Sequence, residues 1–403
     1  MVGAGAAGLM AAAHAARAGK ATVLLEKNER PGLKILISGG GRCNVTTTKQ
    51  GADLEAEYGL RRGRFLRHAL RAYPPSALRA ELEALGVGLH EEDLDKIFPD
   101  SQRARDVLDA LVRLSTTAGA ELRLATPVHA ITRDARGGFA LDTAGGALRA
   151  GRVVLATGGL SYPKTGATGD GYAFCRTLGH APTATFPALA PLAVDAGWVH
   201  DLAGIVLVGV DLSVLDAAGR VLRTRNRPIL FTHRGLSGPA PMDLSGDVEE
   251  LGGAVLRFDF APAIAGEELE RQWLAAAAAH GARSVDAVLP KHLPERLRAA
   301  LLAEAGAAGM LANLGRDARR RLLAAVKDLR VPVAHSLGYA HAEVTRGGIP
   351  LDEIEPRTMQ SRRCPGLFVC GELLDIDGPI GGFNFQAAFA TGRLAGAAAA
   401  SAP

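Results

Sequence analysis

The sequence predicts an α/β fold in which the two ends of the chain build one domain and the middle is an insertion. Three observations predict it. The chain begins with a glycine turn, Gly3-Ala4-Gly5-Ala6-Ala7-Gly8. It finishes with another: an apolar strand from Leu367 to Cys370 runs into Gly371-Glu372, and Gly381-Gly382 opens a helix. Between them, a strand-like alternation over residues 189–260 gives way to a helical, Ala/Leu/Arg-rich pattern over residues 267–326. Glycine lets backbone approach a ligand, and helix-start amides suit phosphate or an electron-rich oxygen. Two such turns at opposite ends point to one long cofactor held by both, and FAD has the length to need that.

In the first turn Gly3 makes the tight bend, Gly5 beside Ala6 clears space for a pyrophosphate, and Gly8 lets helix and strand pack closely. A helix over about residues 7–18 should stop at Gly19. A strand over residues 21–25 closes on Glu26, followed by Lys27. Glu26 lies 18 positions beyond Gly8 (26 − 8), near the spacing of about 20 for a ribose-binding acid. Only Met1 and Val2 precede Gly3, whereas strands run about five or six residues. We therefore expect a recorded start that is too late rather than a strand this short. A signal peptide over residues 1–18 lacks its basic leading region, and it would make the glycine spacing a coincidence.

Two more blocks carry chemistry. Pro31 to Thr46 reads PGLKILISGGGRCNVT, where Gly39 to Gly41 precede Arg42, Cys43 and Asn44. Arg42 suits a phosphate or flavin carbonyl, and Asn44 can donate and accept. Arg152 to Gly159 is a buried strand entering a glycine turn at Thr157-Gly158, with a short helix from about Gly171. Residues 76–86 and 103–119 pattern as amphipathic helices, and 121–148 as strand-turn-strand. Val128, after Pro127, is placed against an adenine edge by analogy with adenine-binding strands.

Composition bounds the function. At 403 residues, about 150 per domain gives two or three domains. No apolar run reaches the roughly 18 residues needed to cross a bilayer, so no membrane partner is expected. The net charge of +4 permits an anionic partner without demanding one. Cys43, Cys175, Cys364 and Cys370 form no CxxC pair, which removes a redox disulfide and fits a reducing cytoplasm. His233, His335 and His341 show no metal-like clustering, and no metal site is expected.

The strings GLKILISGGGRCNVT, ATGGLSYPKTGATGDGYAFCRTLGH, FTHRGLSGPAPMDLS, EVTRGGIPLDEIEPRTMQSR and GLFVCGELLDIDGPIGGFNFQAAFATGRLAG resemble the BaiN/RdsA-type flavoproteins over essentially the whole chain. The resemblance implies a discontinuous FAD-binding Rossmann-like domain (residues 1–188 and 345–403). It also implies an inserted β-rich domain (189–262 and 327–344) and a small helical domain (263–326). Carried over by position, Gly3, Gly5 and Gly8 would cradle the pyrophosphate and Glu26 would accept from the adenosine ribose. Lys34, Arg42, Cys43 and Asn44 would line the stretch toward the flavin, with Thr157-Gly158 near the adenosine half. Gly371, Glu372 and Asp377 would meet the ribityl chain or adjacent backbone. Gly381, Gly382, Phe383 and Asn384 would offer helix-start amides to the flavin N1–C2 edge. The sequence departs from the usual Thr-Ala-Gly-Gly-Val at Arg346 and Ile349, and Arg346 is left open between the flavin and solvent.

The activity expected is an FAD-dependent oxidoreductase taking hydride from NADH or NADPH and reducing an activated C=C or C=N bond. No second GxGxxG follows a strand, so the nicotinamide would bind transiently. Members of the family have been linked to reduction of unsaturated bile-acid intermediates, oxidation of aminoacetone, and dihydrouridine formation in ribosomal RNA. An RNA partner would use the basic runs Arg61, Arg62, Arg64, Arg67, Arg71 and Arg316, Arg319, Arg320, Arg321. The same cofactor site would also serve an amine oxidase or a non-catalytic flavin carrier. Tyr162 and Lys164 sit in a loop that tempts assignment of a proton donor; no catalytic residue is assigned.

Overall fold

The computed structural model describes residues 1–135 and 137–401. They form two compact units, Met1–Pro187 with Ala342 onward, and Ala188–His341.

The first unit is built on short parallel strands. Val23–Leu25 pairs with Glu121–Arg123, and Val153–Leu155 pairs with Leu367–Val369. Val2 alone joins the two pairs, bridging in parallel to both Leu25 and Leu155. Its amide donates to Val154 O (2.9 Å) and its carbonyl accepts from Ala156 N (2.9 Å). One residue thus holds the central position of the sheet.

The first helix, Ala6–Arg17, stops where Gly19 takes φ 77°. It is buried on nearly every side because its alanines admit neighbours closely. The C-terminal helix, Phe383–Ser401, lies along it. A Cβ added at Gly392 would stand 2.3 Å from Ala7 O, and one at Gly396 2.1 Å from Ala11 O. The two backbones are in contact, and only glycine permits it. A third helix, Gly59–Ala72, buries Phe65, Leu66 and Leu70 and exposes Arg64, Arg67 and Arg71. Over residues 121–148 the chain makes more strands than the expected pair. After Glu121–Arg123 come Val128–Arg133, Phe139–Thr143 and Gly146–Ala150 as an antiparallel meander.

In the second unit, four antiparallel strands lie in the order Val221–Arg225, Asp211–Leu215, Ala254–Asp259, Leu329–Val333. A second sheet of five strands runs Val206–Leu207, Ile229–Thr232, Gly235–Ser237, Leu192–Ala193, His335–Ser336. With the two sheets stand helices Pro239–Leu251, Gly266–His280, Glu295–Ala305 and Arg316–Lys327. Phe258 from the four-stranded sheet and Phe260 just beyond it share one core with Trp273, Leu297 and Leu322 from the helices. Among the described residues no helix is long and apolar enough to cross a membrane.

Candidate functional site

The three glycines of the opening turn differ in what surrounds them. A Cβ at Gly3 (φ 97°) would meet Ala156 O at 2.6 Å, and one at Gly8 would meet Gly3 O at 1.8 Å. Gly5 has nothing within 4 Å of its Cβ position. Two glycines are thus required by packing, and the middle one opens on free space. The helix that follows has no capping side chain and no acid in its first turn, which leaves its first amides to a ligand. Glu26, buried beside the turn, accepts from Ala4 N (2.9 Å), Asn28 N (2.9 Å) and Asn28 Nδ2 (2.8 Å). A carboxylate has about four acceptor positions, so one remains for a hydroxyl. Lys27 turns to the Thr168–Asp170 stretch, bonding Thr168 Oγ1 (2.5 Å) and Asp170 Oδ2 (2.7 Å).

Across the sheet, strand Val153–Leu155 delivers Thr157 and Gly158. Gly158 (φ 74°) is open on its Cβ side, as Gly5 is. The Thr157 hydroxyl is buried with no hydrogen-bond partner, an arrangement that costs about 1–3 kcal/mol unless a ligand satisfies it. Gly171 lets the helix behind come close, since a Cβ there would fall 2.0 Å from Thr157 Oγ1. Thr345 collects the next amides: its hydroxyl accepts from Leu160 N (2.8 Å) and Ser161 N (3.2 Å). Its own N–H donates to Glu372 Oε1 (2.9 Å), and Lys34 Nζ meets Glu372 Oε2 at 2.8 Å. Lys34, Glu372 and the Gly159–Ser161 backbone, from three separate stretches, therefore meet around Thr345, just beyond Thr157 and Gly158.

The second glycine turn is gripped by side chains. Gly371 N donates to Thr391 Oγ1 (3.0 Å). Asn44, with its amide turned to face two carbonyls, donates to Thr46 O (2.9 Å) and Ile97 O (3.2 Å) and accepts from Gly382 N (3.0 Å). Gly382 (φ 83°) sits where a Cβ would be 2.2 Å from Thr46 O. Asn384 pins Gly378 in both directions at 2.9 Å, and the Tyr58 hydroxyl donates to Phe383 O at 2.7 Å. Asp375 takes Arg61 and Arg62, each at 3.1 Å. Asp377 takes Arg346 at 3.2 Å through two nitrogens. Arg62 Nη1 stands 2.9 Å from Asp377 Oδ1 as an ion pair whose angle is not that of a hydrogen bond. Arg346 is 4% exposed: it points inward, to Asp377.

Other expected residues have partners within the protein. Arg42 bonds Glu92 (2.8 Å) and Gln102 (2.9 Å) and stacks 4.0 Å over Phe98. Cys43, at φ 67°, is buried, and burial pushes its thiol up to about 12 despite the Ser38 hydrogen bond; it packs rather than reacts. Val128 begins a strand and pairs with Thr143. In the first basic run Arg61, Arg62, Arg67 and Arg71 each pair with a carboxylate. Arg67 and Arg71 both bond Glu55 (2.8 and 3.0 Å). Burial pushes that carboxyl up, but the two guanidiniums outweigh it and hold it below its ordinary range. In the second run Arg319 pairs with Glu270 and Arg321 caps Ala305 O. Tyr162 occupies φ 52°, and burial, then the charge of Glu343, raise its phenol.

Sequence reasoning missed Thr345, the Arg62–Asp375 pair, and a buried cluster at His180. His180 bonds Glu353 Oε2 through Nδ1 and Ser361 Oγ through Nε2, each at 2.7 Å. The cluster resembles a hydrolytic triad, yet Ser361 Oγ also accepts from Arg363 N and Cys364 N. With both lone pairs taken, it ties a loop rather than attacks a substrate. Its members lie too far apart in sequence to signal it. Among the described residues no His/Cys/Asp/Glu group could hold a metal, and all four cysteines are free and buried.

Parallel strands, an uncapped helix behind a glycine turn and a second glycine turn from the far end of the chain define a Rossmann-type nucleotide-binding unit, here that of a flavin-dependent oxidoreductase. The chain belongs to the family described as HI0933-like protein Rossmann domain, which it matches over residues 1–398. It is 33% identical to the ribosomal RNA dihydrouridine synthase of Escherichia coli, over 97% of this chain and 95% of that one. It is 31% identical to the 3-dehydro-bile acid Δ(4,6)-reductase of Clostridium scindens, over 100% and 99%. The 3-ketosteroid Δ1-dehydrogenase of Sterolibacterium denitrificans shares its fold, with a TM-score of 0.52 at 14% identity over 99% of this chain and 98% of that one.

Proposed function

We infer that the protein binds FAD across its two glycine turns and reduces a C=C bond conjugated to a carbonyl. One observation carries the reaction class: full-length relatives named for a bile-acid Δ(4,6)-reduction and for dihydrouridine formation. Their substrates share little except that bond, since uridine C5=C6 and a Δ4,6-unsaturated 3-ketone are both conjugated to C=O.

The residues fit the cofactor. Gly5 and Gly158 leave room where a pyrophosphate and the adenosine half would pass, and the Thr157 hydroxyl lacks the partner a ligand would supply. Glu26 keeps an acceptor position for a ribose hydroxyl. The Lys34–Glu372 pair holds the ribityl stretch, and Gly381 to Asn384 offer a positive helix end to the flavin N1–C2 edge. FAD, when bound, supplies hydride exchange at N5; the chain supplies position and charge. The donor is NADH or NADPH, bound transiently. Four unpaired thiols suit work in a reducing cytoplasm.

The test is an anaerobic titration of the FAD-loaded protein with NADH and NADPH separately, following the flavin band at about 450 nm. Bleaching by either donor, followed by reoxidation with a conjugated enone or with ribosomal RNA, supports the assignment. The acceptor that gains two hydrogens by mass names the substrate class. A flavin that stays oxidised with both donors overturns the reductase reading in favour of an oxidase or a carrier.

A further inference from the structure

The loop that follows Thr157 and Gly158 is tied at both ends to acids that the reading above gives to the cofactor. At its start the Leu160 and Ser161 amides donate to Thr345 Oγ1 (2.8 and 3.2 Å), and the Ser161 hydroxyl lies 2.9 Å from the same oxygen. Thr345 N in turn donates to Glu372 Oε1 (2.9 Å). At its far end Asn28 Nδ2, held by Glu26 at 2.8 Å, donates to Thr165 O (3.2 Å). Gly166 is pressed against the same side chain, since a Cβ there would fall 2.5 Å from Asn28 Nδ2. The loop thus spans from the acid on the adenosine ribose to the acid on the ribityl chain. In FAD the pyrophosphate lies between those two groups.

Tyr162 stands in the middle of the span. Its backbone is left-handed, at φ 52° and ψ 66°, a conformation that bulky residues rarely adopt. The turn after it holds it there: the Thr165 amide and hydroxyl both donate to Tyr162 O at 2.8 Å. Strain of this kind collects at ligand clamps. The side chain is partly exposed, and among the described residues no hydrogen bond reaches its phenol. Burial, then the charge of Glu343, raise that phenol, which keeps it a donor. Lys34 Nζ, 2.8 Å from Glu372 Oε2, also lies 3.4 Å from Glu343 O, so a cation stands on the same side of the span. A free donor close to a lysine suits an anionic oxygen.

We propose that Tyr162 is a further cofactor-binding residue, its phenol donating a hydrogen bond to the FAD pyrophosphate. The proposal rests on the reading that Glu26 and Glu372 mark the ribose and ribityl ends of the cofactor. The experiment uses the full chain stripped of flavin. It measures the dissociation constant of FAD directly and that of ADP by displacement of FAD, with the thermal midpoint and the absorbance spectrum of bound FAD as companions. Tyr162→Phe removes one oxygen and should weaken FAD and ADP alike, each about fivefold, with midpoint and spectrum unchanged. A merely structural phenol would lower the midpoint and leave both affinities intact, and that result overturns the proposal. Weaker FAD with unchanged ADP, or a shifted spectrum, places the phenol at the flavin ring and overturns it too; both outcomes leave the FAD site standing. Failure of the wild type to bind FAD overturns the site reading and this proposal together.

Discussion

At the start of the first helix the backbone comes close to its neighbours because side chains are missing. At the start of the C-terminal helix it is held because side chains arrive from elsewhere. Gly3 and Gly8 touch the Ala156 and Gly3 carbonyls, and Gly5 faces open space. Gly382 instead rests on Thr46 and is bonded by Asn44, while the turn before it is clamped by Tyr58, Arg61, Arg62, Arg346 and Asn384. The first turn is rigid by exclusion and the second by attachment. At Gly3 and Gly8 the first turn has no room for an added atom, whereas the second depends on partners from distant elements.

The largest effect should come from Gly8→Val. Its new side chain would have to occupy the space of Gly3 O, so soluble FAD-bound protein should fall at least about a hundredfold, read as flavin absorbance per protein. Arg62→Ala tests the other kind of turn. It strips Asp375 and Asp377 of a shared partner and should cost about 3 kcal/mol in urea denaturation. A cost as small as that of a surface substitution would break the contrast between the turns. Gly5→Ala sharpens it: the thermal midpoint should stay within about 3 °C while the FAD dissociation constant rises about tenfold. Unchanged FAD affinity would mean that the open side of Gly5 is not the ligand side.

Two smaller effects follow from buried polar atoms. Thr157→Val removes an unsatisfied hydroxyl, so the apoprotein should gain about 1 kcal/mol while FAD binds several-fold more weakly; loss on both counts would mean the hydroxyl has another role. His14, on the first helix, has a buried Nε2 without a partner, and burial lowers its pKa from 6.5 to about 4. Between those values the unfolded chain binds the proton and the folded one does not. Stability contributed by neutral His14 is therefore full above pH 6.5 and lost as pH falls toward 4. His14→Leu should flatten the denaturation midpoint over that window, and an unchanged slope would assign it to other groups.

The same contrast decides what could be read in the sequence. Exclusion is legible, because a glycine is visible in the chain that needs it: Gly3, Gly8 and Gly382 each stand where a Cβ would meet a backbone carbonyl. Attachment is not, because the partner comes from a distant element. Arg42 stands beside three glycines, and nothing nearby in the sequence announces its partners Glu92 and Phe98, which come from strands some fifty residues on. Arg61, Arg67 and Arg71 read as one basic run, and their carboxylate partners, on other elements, are equally invisible in the sequence. The short first strand was visible as a defect, while its remedy, Val2 bridging both neighbours, depends on strands that close up only in three dimensions.

The seam between the first and last helices sets a timetable for the protein's birth. Residues 7 and 392, and 11 and 396, meet backbone to backbone, so the contacts of highest sequence separation are also among the tightest, and such contacts form late. On the ribosome, the first helix must wait, with its alanine face uncovered, until the far end of the chain emerges. The contiguous Ala188–His341 unit can fold during synthesis, as domains generally do. Cofactor loading across the two turns then becomes an event that follows synthesis of both.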